Sequence, residues 1–168
     1  GRALADLAVT EGLKGSEIVL YDIDLERAEL MAKCGRRLSE EACANFEIYA
    51  TKSLSEAVDE ADFVIANIGG VGGGGGGYYS SSVHVNDLHI CAKYGVYQII
   101  GDTCGPAAMM SAFRTIPVCM NICLEMERRC PNAILINHAN PMAILCRAIV
   151  KYSGIKNVIG ICHGVQSG

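Results

Sequence analysis

Residues 133–142 read Ala-Ile-Leu-Ile-Asn-His-Ala-Asn-Pro-Met, and residues 158–164 read Val-Ile-Gly-Ile-Cys-His-Gly. Each stretch begins with a short apolar run and continues into polar side chains. The pattern predicts strands over 133–137 and 157–162, with a helix over 141–152 between them. Parallel strands joined by a helix end at the same edge of a sheet, and open α/β proteins bind ligands at that edge.

The rest of the chain alternates the same two kinds of segment. Helices are predicted over 2–12, 53–60, 85–93 and 106–129, and a further helix is predicted to begin after Asp24 as its N-cap. Strands are predicted over 17–21, 47–50 and 62–68. We expect Pro117 to start or interrupt the long helix 106–129, and Pro141 to lie in the first turn of helix 141–152. Alternation of this kind predicts an α/β fold, a Rossmann-like parallel sheet with helices on both faces and right-handed crossovers.

The amino-acid composition limits the classes of function that the chain can have. The chain has 168 residues, of which 51% are hydrophobic and 19% charged, as expected for a globular domain. A net charge of −4 without a Lys/Arg block gives nucleic-acid binding little support. No uninterrupted apolar run reaches the ~18 residues of a membrane span, so we expect no membrane partner. Nine scattered cysteines, without a CxxC pair or a signal peptide, favour reduced thiols and a cytoplasmic location.

Two candidate positions for a dinucleotide follow predicted strands. Asp22 ends strand 17–21, where an acidic residue in dinucleotide-binding folds accepts hydrogen bonds from ribose hydroxyls; an ordinary turn cap is the equal alternative. Asn67 lies near the end of strand 62–68, and residues 68–71 continue past it. Both are candidates for close approach to the cofactor. The six glycines at 72–77 lack the Gly-Lys-Ser/Thr ending of a phosphate loop and are interpreted as a loop over the strand ends.

The remaining candidates lie further along the chain. Asp102, in the turn 101–106, either tunes a neighbouring acid or base or caps the turn. Arg114 is either a substrate ligand or a solvated surface arginine, and Asn140 either extends its amide beyond the strand end or caps helix 141–152. Cys162 and His163 together suit a borderline-soft divalent metal, although a buried cysteine with a packing role is the common alternative.

Taken together, six segments resemble glycoside hydrolase family 4, the NAD- and metal-dependent glycosidases. They are residues 17–24, 62–65, 101–106, 114–117, 137–143 and 160–166. The Asn-Pro-Met-Ala and Cys-His-x-Val-Gln forms most resemble the α-galactosidase-like branch. The resemblance implies cleavage of α-glycosides of the galactoside or glucoside type, by oxidation of the C3 hydroxyl, removal of the C2 proton and elimination.

The resemblance also implies cofactors and roles. NAD would take and return the C3 hydride, and a divalent ion, Mn²⁺ in most of the family, would polarise the C2 and C3 oxygens. Asp22 would hold the adenosine ribose and Asn140 the substrate hydroxyls, while Cys162 would bind the metal. His163 would protonate the leaving group. Asp102 would increase the basicity of the catalytic base. A homo-oligomer is expected for the full-length protein.

Several departures accompany the resemblance. The sequence lacks three features of the family: the first strand with its glycine fingerprint, a downstream histidine ligand and the catalytic tyrosine. We therefore expect residues 1–168 to be part of an NAD-binding domain that is inactive by itself. We expect this part to be cut from a longer protein that carries a C-terminal catalytic and oligomerisation domain. The polyglycine at 72–77 stands where relatives carry polar residues. Two rivals stay open: an NAD-dependent 2-hydroxyacid dehydrogenase and a non-catalytic dinucleotide-binding module.

Overall fold

The computed structural model describes residues 2–69, 82–99, 101 and 103–162, which fall into two compact units, residues 1–59 and 60–168. Both units contain parallel strands flanked by helices, which confirms the predicted α/β class. In the described residues the strands form two sheets, one of two strands and one of three.

The first unit is built on two parallel strands. Its elements are α1 (Arg2–Ala8), a 3-10 turn (Glu11–Leu13), β1 (Glu17–Tyr21), α2 (Leu25–Glu41), β2 (Glu47–Thr51) and α3 (Leu54–Ala57). The strands pair from Glu17↔Glu47 to Tyr21↔Thr51. Asp24 is the N-cap of α2, since its Oδ1 accepts a 3.2 Å hydrogen bond from the Arg27 amide, which confirms that prediction.

Small residues let α2 approach the sheet of the first unit. Ala28, Ala32 and Gly35 are buried on one face of α2 at helical spacing. A Cβ on Gly35 would lie only 3.0 Å from Cδ1 of Ile48, so a larger residue would displace the Ile48 side chain where α2 crosses β2. Helix and sheet therefore bury their apolar faces against each other.

The second unit holds the segments with which the sequence analysis began. Its elements are β3 (Phe63–Ala66), α4 (Ser82–Lys93), α5 (Gly105–Arg129), β4 (Ile134–Asn137), α6 (Met142–Tyr152) and β5 (Val158–Gly160). The three strands are parallel in the order β3-β4-β5. The central strand β4 thus has a neighbour on each side, and its final residue, Asn137, pairs with Ala66 and Gly160.

Helix α5 is continuous, so the predicted start or interruption at Pro117 is wrong. Proline removes the hydrogen bond to the carbonyl four residues earlier, that of Phe113. Both Phe113 and Pro117 lie on the exposed face of α5. Since an exposed carbonyl can bond to water instead, the helix tolerates proline at this position. Pro141 likewise lies one position earlier than predicted, at the N-cap of α6 rather than in its first turn.

Among the described residues α5 is also long and apolar enough, by length and composition, to cross a membrane. The sequence prediction was that no apolar run reaches the ~18 residues of a membrane span. In the structure 44% of the apolar window of α5 is buried. Its buried face, which includes Ala108, Ala112 and Met126, packs between α4 and α6, as the core helix of a globular unit does.

Candidate active site at the ends of the parallel strands

The ends of β4 and β5 are tied together in the second unit. The backbone amide of Ile161 donates a 2.9 Å hydrogen bond to the carbonyl oxygen of Asn137. On the other side of β4, the amide of His138 donates a 2.8 Å hydrogen bond to the carbonyl oxygen of Ala66. The segments that follow β3, β4 and β5 therefore leave the sheet side by side at its carboxyl edge. This is the edge at which α/β folds bind ligands.

The loop that follows β4 is braced from within. Asn137 is fully buried, and its side-chain Oδ1 accepts a 3.3 Å hydrogen bond from the amide of Ala139 while its Nδ2 donates one of 3.3 Å to the Ala139 carbonyl. Nδ2 also lies 3.7 Å from Sγ of Cys146 in α6. Asn137 was not among the predicted site residues. The only signal in the sequence was a carboxamide at the last position of a buried strand.

Asn140 lies at the end of this braced loop. It is half-buried, and its peptide bond to Pro141 is cis. The alternative role of Asn140 as the cap of α6 is not observed, because Pro141 occupies the N-cap position and no side chain makes a cap hydrogen bond there. The predicted contact of Asn140 with a substrate stays a prediction.

Cys162 follows β5 and is exposed. The strand is shorter than the predicted 157–162 and ends at Gly160, so Cys162 belongs to the segment beyond the sheet edge. All nine cysteines lie in the described part of the chain, and none forms a disulfide. Within that part no group of three or more His, Cys, Asp or Glu side chains could hold a metal ion. A structural or catalytic metal site usually takes three or four protein ligands, so the metal-binding role of Cys162 stays a prediction.

Gly160 lies in close contact with side chains at the start of α6. A Cβ on Gly160 would lie 2.9 Å from Sγ of Cys146 and nearer still to Sδ of Met142, both in the first half of α6. Sγ of Cys146 in turn lies 3.9 Å from Sδ of Met142. The start of α6 is thus packed directly against the last residue of β5.

Arg114 is neither a solvated surface residue nor free of protein contacts. Its Nη2 pairs with Oδ2 of Asp87 in α4 and its Nη1 donates a 3.4 Å hydrogen bond to Oδ1 of the same carboxylate. The Arg114 side chain is 25% exposed and that of Asp87 only 6%. This two-point ion pair orients the guanidinium and joins α4 to α5. Asp87 was missed because a single acidic residue on a helix carries no distinctive pattern, and the substrate contact predicted for Arg114 stays a prediction.

The two positions predicted for a dinucleotide both follow strand ends. Asn67 comes directly after β3 and is exposed. Asp22 comes directly after β1 in the first unit and is half-buried, and its Oδ1 accepts a 3.0 Å hydrogen bond from the amide of Asp24. The capping role of Asp22 is therefore observed. Because that bond uses one carboxylate oxygen, the second remains able to accept a hydroxyl.

The turn before α5 is held by Gln98, which the sequence analysis did not single out. Nε2 of Gln98 donates a 2.8 Å hydrogen bond to the carbonyl of Cys104, and Oε1 accepts one of 3.2 Å from the amide of Ala107. Gly101 and Gly105 have φ angles of 61° and 83°, which favour glycine. The Gln98 side chain occupies the space that a Cβ on Gly105 would need, whereas a Cβ on Gly101 would lie 3.0 Å from Cδ2 of Leu88. The carboxamide thus caps the start of α5 and shapes the turn.

Some of the sequence predictions concern residues outside the described part of the chain. They are Asp102, His163, the glycine run 72–77 and the second half, 70–71, of the segment predicted to approach the cofactor. The roles predicted for Asp102 and His163 stay predictions.

The comparison with protein families shows which family the chain belongs to. The model of the family 4 glycosyl hydrolases matches residues 1–168. The chain belongs to this family. It is 34% identical over 166 residues to an alpha-galacturonidase of Thermoanaerobacter italicus, covering 99% of this chain and 34% of that protein. It is 37% identical over 165 residues to an alpha-galactosidase of Bacillus subtilis, covering 97% of this chain and 36% of that protein.

Solved structures of family members share the fold. The crystal structure of lplD from Bacillus subtilis has a TM-score of 0.81 at 30% identity, over 98% of this chain and 36% of that one. A 6-phospho-alpha-glucosidase from gut microorganisms, crystallised with NAD and Mn²⁺, has a TM-score of 0.73 at 23% identity, over 95% of this chain and 35% of that one. This family 4 chain therefore spans about a third of the length of the relatives it matches.

Proposed function

We propose that the full-length protein is a glycosidase that cleaves α-glycosides of the galactoside or glucoside type. It would use NAD and a divalent metal such as Mn²⁺. By full-length protein we mean a polypeptide of the relatives' length that carries this chain. Membership of family 4 supports the glycosidase activity. The names of the two relatives, an alpha-galacturonidase and an alpha-galactosidase, support the α-glycoside class. The family structure crystallised with NAD and Mn²⁺ supports the cofactors.

The observation that carries the proposal is the parallel pairing of β4 with β5, in the register Asn137↔Gly160. This register brings the loop ending in Asn140 and the segment containing Cys162 to one edge of one sheet. A carboxamide suits hydrogen bonds to sugar hydroxyls, and a thiolate suits a borderline-soft metal ion. A glycosidase that binds a sugar through a metal can use both kinds of group.

The residues present fit the two cofactors in part. Asp22 would hold NAD through the carboxylate oxygen that its turn leaves available, and Asn67 would approach the cofactor from the end of β3. Cys162 would hold the metal as one ligand of several. When bound, NAD would supply a hydride acceptor and the metal a Lewis acid for the sugar oxygens.

The remaining chemistry falls to the side chains of the chain itself. Asn140 would donate and accept hydrogen bonds at the substrate hydroxyls and so orient the sugar ring. His163 would hold the proton that the leaving glycosidic oxygen receives, because imidazole titrates near neutral pH. Asp102 would carry the negative charge that raises the basicity of the catalytic base.

The test is an assay of the full-length protein on 4-nitrophenyl α-galactoside, α-glucoside and α-galacturonide. We expect release of nitrophenol from at least one of them, dependent on both NAD and Mn²⁺, and abolished by chelation and restored by Mn²⁺. The galacturonide is included because one of the relatives is named for it. Cleavage of all substrates with undiminished rate after chelation and removal of NAD would contradict the proposal.

The same assay separates the two rival functions. A 2-hydroxyacid dehydrogenase would reduce NAD with a hydroxy acid in the presence of chelator and release no nitrophenol. A non-catalytic module would bind NAD and turn over none of the glycosides, even with Mn²⁺ and a reductant present. The match to the glycosyl hydrolase family favours neither rival.

A further inference from the structure

The side chain of Asn137 is a fully buried polar group at the point where β4 ends. It is 0% exposed, although it stands among residues at the edge of the sheet where the candidate site lies. A buried carboxamide is costly unless its donors and acceptor are satisfied. The contacts that satisfy it therefore show what the residue holds in place.

Those contacts converge on one residue of the following loop. The Asn137 carboxamide accepts from the amide and donates to the carbonyl of Ala139, each at 3.3 Å. Ala139 is 1% exposed, so water cannot replace these two bonds. The Asn137 side chain thus holds both backbone polar groups of Ala139, the residue immediately before Asn140. It thereby sets the path of the backbone into Asn140.

The same carboxamide also faces α6. Its Nδ2 lies 3.7 Å from Sγ of Cys146, which together with Met142 packs against the position of Gly160. The Asn137 side chain therefore contacts α6 as well as the loop that follows β4. A carboxamide of this kind can hold the loop in one conformation.

We propose that Asn137 is a positioning residue for the glycosidase reaction, whose side chain sets the orientation of Asn140 toward the substrate. The inference rests on the proposed function, since it is through Asn140 that Asn137 acts. The main chain of Asn137 also accepts the hydrogen bond from Ile161, next to Cys162. Because that bond joins backbone to backbone, a change of the Asn137 side chain leaves it in place. Substitution is therefore expected to impair the sugar side of the site and to spare the metal side.

The experiment uses Asn137→Asp in the full-length protein, with Asn137→Ala as a second variant. The aspartate preserves shape and the acceptor for the Ala139 amide, but it removes the donor to the Ala139 carbonyl. We expect kcat/KM for the aryl α-glycoside to fall about 10- to 100-fold, as for the loss of other groups that orient a substrate ligand. In Asn137→Ala, which adds no charge, the dissociation constant for Mn²⁺, measured without substrate from the paramagnetic resonance signal of the free ion, is expected to stay unchanged.

Ser39→Ala is the matched control. Ser39 is also a buried polar side chain that braces a loop, since its Oγ accepts a 2.8 Å hydrogen bond from the amide of Phe46 in the first unit. We expect Ser39→Ala to lower the thermal midpoint with kcat/KM per folded molecule unchanged. If Asn137→Asp behaves in the same way, its role is purely structural and the inference is overturned.

Asn140→Ala separates the inference from the proposed function. Unimpaired turnover by Asn140→Ala would overturn both the substrate role of Asn140 and the inference that depends on it. Loss of turnover in Asn140→Ala with full turnover in Asn137→Asp would overturn the inference alone. Should neither Asn137 variant fold, hydrogen exchange in the wild-type protein decides: we expect a protected amide at Ala139, and rapid exchange there would overturn the inference.

Discussion

The carbonyl oxygen of Asn137 accepts a 2.9 Å hydrogen bond from the backbone amide of Ile161, so the end of β4 is tied to the residue that precedes Cys162. Two segments separated by a whole helix in the sequence thereby become neighbours in space. The loop after β4 carries the proposed sugar ligand, and the segment after β5 carries the proposed metal ligand. Four predictions test this arrangement and the stability of the units that produce it.

Replacement of Cys162 by serine in the full-length protein is expected to abolish Mn²⁺-dependent glycoside cleavage. A hydroxyl has nearly the size of a thiol but is not the soft ligand that a thiolate provides. Affinity for NAD, measured by fluorescence titration, should be unchanged. Cys34→Ser, which alters an exposed cysteine of α2, is the control and should retain activity. Full turnover by Cys162→Ser would show that the thiol is not a metal ligand.

Gly160→Ala is expected to destabilise the protein by about 1–3 kcal/mol, the usual cost of inserting a methyl group into a packed region. The added carbon would lie 2.9 Å from Sγ of Cys146 and even closer to Sδ of Met142. Urea unfolding measures the change in the free energy of unfolding. Gly12→Ala is the control, since a Cβ on Gly12 meets nothing within 4 Å. Equal stability of the two variants would refute the packing argument.

Asp22→Ala and Asp24→Ala are expected to have different effects although the two residues are neighbours. Removal of the proposed ribose ligand Asp22 should weaken NAD binding in the full-length protein. Removal of the N-cap Asp24 should cost about 1 kcal/mol of stability and leave NAD affinity unchanged. Calorimetric titration with NAD and thermal unfolding distinguish the two effects. If both variants bound NAD as the wild type does, Asp22 would be a turn cap and nothing more.

Tyr49 provides a prediction about pH. Its hydroxyl donates a 2.7 Å hydrogen bond to Oε1 of Glu17, and this bond, followed by burial, raises the pKa of Tyr49 from 10.0 to about 12. Since the pKa in the folded protein lies above that in the unfolded chain, the stabilisation is fully present below pH 10 and is lost as the pH rises toward 12. The phenolate absorbance difference between wild type and Tyr49→Phe isolates this group among the seven tyrosines.

Glu17→Ala is the companion variant in that titration. Without the Glu17 carboxylate the midpoint for Tyr49 should return toward its ordinary value, because the hydrogen bond and the negative charge that hold the phenol proton are both removed. An unchanged midpoint would mean that the hydrogen bond between β1 and β2 does not form in solution.

Local patterns predicted the elements well wherever a single segment carries the necessary information. The apolar run ending in Asn137 predicted β4, and Asp24 was correctly placed as the cap of α2 because a cap depends on residues within one turn. Pro117 was misread for a related reason. Whether a proline breaks a helix depends on which face it occupies, and the sequence alone did not show that this face is exposed.

The candidate site was predicted only as far as side-chain chemistry could indicate it. Asn140 and Cys162 were chosen as candidates because their residue types suit sugars and metals, and their roles stay predictions. Asn137, Gln98 and Asp87 were not, because each acts on backbone or side-chain groups that only the folded chain brings within reach. A buried carboxamide and a surface carboxamide look the same in a sequence.

By itself the sequence determined the α/β class and the order of strands and helices, because these depend on periodicity. It also determined the family, through the resemblance of whole segments to those of known members. The tertiary structure decided which residues share an edge, which side chains brace them and which glycines lie in close contact with side chains. Those properties depend on contacts between distant segments, such as Asn137 with Ile161 and Gly160 with Met142. Such contacts exist only after helices and strands have packed, so no local pattern encodes them.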